Sequence, residues 1–116
     1  MSRRSEVLLW GAQRFSAMVL ALCVLVHLLT MIYAVRSGLS AAEILGRTQG
    51  SIAWFAFYTL FVFAVAVHAP IGLRTILSET FNWRGRGLDV LACIIALSLA
   101  MWGMRAVFGV FGVGAA

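Results

Sequence analysis

Residues 52–73 read IAWFAFYTLFVFAVAVHAPIGL. This stretch contains no Asp, Glu, Lys or Arg, and its length matches the roughly 20 apolar residues that cross a hydrocarbon core of about 30 Å. Inside lipid the backbone must satisfy its own hydrogen bonds, so such a stretch is expected to be helical. The sequence therefore predicts a transmembrane helix over 52–73.

Two further predominantly apolar stretches, at 15–34 and 88–110, have similar lengths, and the second of them contains only Asp89 and Arg105 as charged residues. Together the three predict an all-α integral membrane protein with three transmembrane helices in a single domain over 1–116. The composition agrees, because only 11% of the residues are charged, whereas soluble domains have about 25%. This composition argues against a soluble enzyme.

The connection between the first two predicted helices is polar. Within it, Ser40-Ala41-Ala42-Glu43 has the spacing of a capping box, in which a Ser and a Glu each bond the other's backbone N–H at a helix start. We therefore expect a short surface helix to begin there.

The arginines predict the orientation of the helices, since the chain contains no Lys. Most of them lie in the N-terminal segment and in the second connection: Arg3, Arg4, Arg14, Arg74, Arg84 and Arg86. Cytoplasmic segments of membrane proteins carry the excess of positive charge. We therefore expect a cytoplasmic N-terminus and a C-terminus outside. The net charge of +5 comes from arginines that serve to orient the helices. No nucleic-acid binding is therefore expected.

The chain has two histidines, His27 and His68, and both lie inside predicted helices. An ionisable side chain at this depth is costly and indicates a function; the alternative is a neutral His that hydrogen-bonds between helices. No carboxylate lies at a similar depth, which disfavours a proton or ion path. Neutral imidazoles facing an apolar space suit the axial ligation of haem iron, so we interpret both as candidate haem ligands.

Small residues flank one of these histidines. Ala64, His68 and Gly72 share a helix face and leave clearance for a porphyrin, although small residues also allow close helix packing alone. At a rise of 1.5 Å per residue, His27 lies roughly 18 Å from the cytoplasmic start of its helix and His68 about 8–12 Å from the cytoplasmic end of its own. This offset is compatible with one haem shared between tilted helices, or with two haems, each completed by another chain.

Polar residues stand at the predicted cytoplasmic ends of the first two helices. Arg14 and Arg74 could each grip a haem propionate with two parallel hydrogen bonds, or could simply orient their helices. Arg14 is also close in sequence to Trp10, Gln13 and Ser16. Such a cluster offers the donors that a quinone head group requires.

Two segments resemble a known family. Segment 67–74, Val-His-Ala-Pro-Ile-Gly-Leu-Arg, followed by Leu77 and Glu79, resembles the second-helix signature of the membrane-anchor subunits of succinate dehydrogenase and fumarate reductase, the complex II family. That signature reads roughly His-x-x-x-Gly-Ile/Leu-Arg/aromatic, with an acidic residue a few positions on. Segment 13–17, Gln-Arg-Phe-Ser-Ala, is similar to the start of the first helix in that family.

The resemblance implies roles for individual residues. His68 matches the axial ligand of haem b, and Arg14 matches an Arg that contacts a propionate and lines the quinone pocket. Ser16 falls near that pocket, and Glu79 takes the place of the acidic residue after the motif. His27 resembles the first-helix ligand of two-haem anchors, which have five helices in one chain, so this chain would need a partner.

Two positions depart from the pattern. Thr80 stands where some members have Tyr, and Trp10 lies where others have a Ser of the quinone site. The resemblance nevertheless implies a multi-pass subunit of a bacterial-type inner membrane. It would bind flavoprotein and iron–sulfur subunits on its cytoplasmic face, with a second anchor subunit or another copy of itself in the lipid.

Two other functions remain open at this point. The first is a structural or accessory membrane protein without a cofactor, whose helices only pack against partners. The second is a small transporter or channel subunit, which the lack of membrane-embedded carboxylates and of paired broken helices disfavours.

Overall fold

The computed structural model describes residues 2–112, and within that range the chain is helical with no strands. Its helices in chain order are α1 (Arg3–Arg36), α2 (Ala41–Thr48), α3 (Ile52–Phe81) and α4 (Arg86–Phe111). Three of them, α1, α3 and α4, are long and apolar enough to cross a membrane. The predicted three-helix membrane fold is thereby confirmed.

The long helices extend beyond the apolar stretches that predicted them. Helix α1 begins at Arg3 rather than near residue 15, because Ser2 caps it by accepting a hydrogen bond from the backbone N–H of Ser5. Helix α3 continues through Pro70 to Phe81, past the predicted end at residue 73. Hydropathy indicates where a helix leaves the lipid, whereas helical hydrogen bonding continues until a cap ends it.

Helix α2 starts at the predicted capping box. The Ser40 hydroxyl accepts from the Glu43 backbone N–H at 3.2 Å, and the Glu43 carboxylate accepts from the Ser40 N–H at 3.2 Å. At its other end, the Thr48 hydroxyl donates to the carbonyl oxygen of Val110 at 3.0 Å, and the Gly50 N–H donates to that of Phe111 at 2.9 Å. These bonds attach α2 to the end of α4.

Helix α3 is central and packs against both α1 and α4. The packing of α3 on α4 is close enough to require a glycine, because a Cβ on Gly103 would lie only 2.6 Å from Cγ1 of Val62. The outer faces of the helices are apolar and exposed, as at Leu22 and Leu97, which are 67% and 72% exposed. Such faces are suited to lipid.

Candidate functional site

A cavity of about 400 Å³ opens between the first turns of α1 and the later turns of α3, and we call it the α1–α3 cavity. It is lined by Glu6, Leu9, Trp10, Gln13, Arg14, Ile71, Arg74 and Thr75. Three of the residues proposed from the sequence, Trp10, Arg14 and Arg74, therefore meet at one site.

Arg14 is held over an aromatic ring at the mouth of this cavity. Its guanidinium carbon lies 4.9 Å from the centroid of the Trp10 ring, which is cation–π geometry. Within residues 2–112 Arg14 has no ion-pair partner. Its N–H donors are thus available to a ligand with carbonyl or carboxylate oxygens.

Arg74 is already paired. Its Nε donates to a carboxylate oxygen of Asp89 at 2.8 Å, and the two side chains are 24% and 51% exposed. Asp89 lies in the first turn of α4 and was missed from the sequence. The sequence feature that could have identified it is that Asp89 is the one acidic residue of α4. Since the contact involves Nε, the two terminal nitrogens of Arg74 stay available.

Gln13 was predicted from the sequence only as a member of the polar cluster around Arg14, and the structure gives it a more specific environment. Its amide oxygen is buried and has no hydrogen-bond partner among the described residues. A Cβ added to Gly72 would lie 3.1 Å from the Gln13 amide nitrogen. The absence of a side chain at Gly72 therefore leaves space for this amide. A buried polar atom without a partner costs about 1–3 kcal/mol. A ligand in the cavity that donates to Gln13 would remove that cost.

Two predicted residues lie outside the cavity. Ser16 is buried and donates to the carbonyl oxygen of Gln13 at 3.0 Å, and it faces a different groove, beside Leu60 and Ala64. Glu79 is exposed near the end of α3 and does not line the cavity.

His68 lies in an open apolar groove of about 480 Å³. The other residues of this groove all come from α1: Ala17, Leu20, Ala21, Val24, Leu25 and Leu28. Nδ1 of His68 is buried and has no hydrogen-bond partner within the described range. An imidazole with an unpartnered nitrogen, facing an apolar space beside two alanines, fits the requirements of an axial haem ligand.

His27 has different surroundings. Its ring packs edge-on against Phe61 at 5.6 Å and Tyr58 at 6.1 Å between ring centroids, and its Nδ1 is likewise buried without a partner in the described part of the chain. Phe61 and His68 are two helical turns apart on α3, which is about 10 Å along the axis. The structure therefore places the two histidines at different depths and does not bring them together.

In residues 2–112, no three side chains of His, Cys, Asp and Glu are grouped so that they could hold a metal ion. A haem differs from such sites because it needs only one or two protein ligands.

The sequence matches the family described as "Succinate dehydrogenase/Fumarate reductase transmembrane subunit" over residues 1–104. The matched range includes every residue of the α1–α3 cavity and of the His68 groove. No curated protein and no solved structure matches the chain significantly.

Proposed function

The chain belongs to the succinate dehydrogenase/fumarate reductase transmembrane subunit family, and on that premise we propose that it is a haem b-binding membrane anchor of a complex II-like enzyme. Its role would be to help form the quinone site and to pass electrons between an iron–sulfur subunit and quinone. The flavoprotein and iron–sulfur subunits would bind its cytoplasmic face, and dicarboxylate chemistry would take place in them.

The observation that carries the quinone site is the α1–α3 cavity. It combines unpaired polar groups of Gln13 and Arg14 with the flat ring of Trp10. An amide both donates and accepts, so Gln13 would donate to a quinone carbonyl and accept from a quinol hydroxyl. Arg14 would donate to the second oxygen of the ring. The volume of about 400 Å³ lies within the range typical of small-molecule sites.

The haem assignment is supported by the surroundings of His68. When bound, haem b accepts and releases one electron. The chain would supply His68 as axial ligand, while Ala17 and Ala21 leave space beside the imidazole and the apolar side chains of the groove exclude water. Burial and ligand identity are the means by which a protein tunes such a group. Arg14 and Arg74 would serve the propionates.

The His68 groove is open on one side, and a second chain would cover it. We propose either a second anchor subunit or another copy of this chain, which would contribute the other axial ligand. Because His27 lies at a different depth and between two aromatic rings, it would serve a second haem, or it would act as a packing residue.

A dithionite-reduced minus oxidised spectrum of the detergent-purified complex, with haem quantified per chain, tests this function. A b-type absorbance is expected. One haem per chain would support both His27 and His68 as haem ligands. One haem per two chains would leave His68 as the ligand and His27 as a packing residue. A complex without b-type absorbance would overturn the haem proposal and favour a structural subunit without cofactor.

A further inference from the structure

A second cavity lies at the opposite end of the molecule, between the end of α1, the short helix α2 and the start of α3. We call it the α2 cavity, and its volume is about 320 Å³. Neither the haem proposal nor the quinone proposal uses it. Its lining combines one cationic side chain with an apolar interior.

The cationic side chain is Arg47, in the last turn of α2. It donates from one terminal nitrogen to the Tyr33 hydroxyl at 3.4 Å, and its guanidinium carbon lies 5.4 Å from the centroid of the Tyr33 ring. A guanidinium has five N–H donors, so most of them remain available. The arrangement fixes the head of Arg47 beside a hydroxyl at the edge of the cavity.

No acidic residue lines this cavity. The nearest carboxylate in sequence is that of Glu43, one turn earlier on α2, and it is engaged in the capping box through the Ser40 N–H. In the described part of the chain the ion pair found is that of Arg74 with Asp89, so Arg47 is not neutralised there. Among residues 2–112, no carboxylate compensates the positive charge at the mouth of the cavity.

The two threonine hydroxyls of the lining already have partners. Thr30 donates to the carbonyl oxygen of His27 at 2.7 Å, and Thr48 donates to that of Val110 at 3.0 Å. The rest of the lining is aliphatic, as at Met31, Ala34 and Ile44, or aromatic, as at Trp54 and Tyr58. The cavity therefore offers a polar contact at Arg47 and Tyr33 and apolar contact elsewhere.

Its position in the fold points to the kind of ligand. The cavity lies where α1 ends and α3 begins, beside Trp54, and Trp is typical of the membrane–water interface. A ligand with an anionic head at the interface and an apolar body in the lipid is complementary to such a site. A phosphate accepts two parallel bonds from a guanidinium.

We propose that the α2 cavity binds one anionic phospholipid. Arg47 and the Tyr33 hydroxyl hold its phosphate, and part of an acyl chain lies along Met31, Ile44 and Tyr58. The inference needs neither haem nor quinone, so it stands or falls separately from the proposed function.

The test measures lipid retained by the membrane-expressed protein, purified in mild detergent with its associated subunits. Native mass spectrometry after equilibration with phosphatidylglycerol or phosphatidylcholine counts bound lipid per chain. Arg47→Gln is compared with Arg36→Gln, since Arg36 is exposed at the same end of the molecule but does not line the cavity. Bound phosphatidylglycerol is expected to fall about tenfold in Arg47→Gln, as for one lost charge-assisted contact, and to stay unchanged in Arg36→Gln.

A second variant tests the apolar part. Ile44→Trp fills the cavity and keeps the charge of Arg47, and it is expected to displace the lipid as well. Equal retention of phosphatidylglycerol in Arg47→Gln and Arg36→Gln would overturn the proposal. So would equal binding of the two lipids by the unaltered protein, or the finding that the molecule lost from Arg47→Gln is a quinone.

Discussion

Gly72 of α3 faces the side-chain amide of Gln13 of α1, so that a Cβ on residue 72 would stand 3.1 Å from the amide nitrogen. This contact joins the two segments whose sequences resemble the complex II anchors. The glycine of one segment leaves space, and the Gln13 amide nitrogen of the other lies in that space. The Gln13 amide oxygen is buried without a hydrogen-bond partner among the described residues. The space beside His68 on this helix face is thus used partly by Gln13.

Replacing Gln13 is expected to weaken quinone binding while leaving haem in place. Gln13→Leu removes both the donor and the acceptor, and loss of hydrogen bonding of about 1.4 kcal/mol raises KM for quinone about tenfold. Steady-state assays with a short-chain quinone measure this change. Succinate oxidation with a water-soluble dye is the internal control, because it bypasses the cavity. An unchanged KM would remove Gln13 from the site.

Gly72→Ala tests the contact from the other side. Alanine favours the helix by ~1 kcal/mol over glycine, and the end of a flexible Gln side chain can shift by the few tenths of an ångström that the added methyl group requires. We therefore expect normal assembly and unaltered thermal stability, together with a higher KM for quinone. A strongly destabilised Gly72→Ala protein would show that this position does more than accommodate Gln13.

His68→Ala is expected to abolish the b-type absorbance of the haem that we propose His68 binds. His27→Phe is the matched comparison, because it keeps an aromatic ring against Tyr58 and Phe61 and removes both ring nitrogens. It should retain the haem assigned to His68, since the two side chains lie about 10 Å apart along the bundle. The readout is haem per assembled chain. An assembled His68→Ala complex with its full spectrum would contradict the assignment.

Gly103→Ala is expected to destabilise the α3–α4 interface. The new Cβ would approach Cγ1 of Val62 to 2.6 Å, and a β-branched side chain in a helix cannot easily rotate away. Overpacking costs about 1–3 kcal/mol, more than the ~1 kcal/mol gained from helix propensity. A lower Tm should result.

Gly109→Ala is its control, because a Cβ at residue 109 meets nothing within 4 Å, so its Tm should not fall. Adding Val62→Ala to Gly103→Ala should restore part of the lost stability, since the pair would then be coupled. Equal Tm values for Gly103→Ala and Gly109→Ala would show that the interface relaxes without cost.

The membrane fold was readable from the sequence because each span is a continuous apolar stretch, and α2 was readable because Ser40 and Glu43 have capping spacing. The start of α1 and the end of α3 were not, since those turns carry charged and polar residues and their helical hydrogen bonds leave no mark in hydropathy. The different depths of the two histidines followed from the helical rise alone.

The finer contacts of the site were not predictable. The Arg74–Asp89 pair depends on how the turn between α3 and α4 places two side chains from different helices. The lack of a hydrogen-bond partner for the Gln13 amide oxygen depends on the burial of that one atom. The residues next to Gln13 in the sequence do not determine this burial. Ser16 was proposed from its closeness to Arg14 along the chain and from the family resemblance, and it lines a different groove because residues two apart on a helix face different directions.

The length of α1 affects how a water-soluble protein can meet this chain. Its 34 residues extend about 51 Å, and at an average tilt of about 20° they still reach ~48 Å. A bilayer including its head groups is about 40–45 Å thick. Because α1 is longer than the bilayer is thick, we expect its charged first turns, with Arg3, Arg4 and Glu6, to extend a few ångströms beyond the lipid head groups. A water-soluble protein could then contact these turns of α1 without dehydrating the membrane surface.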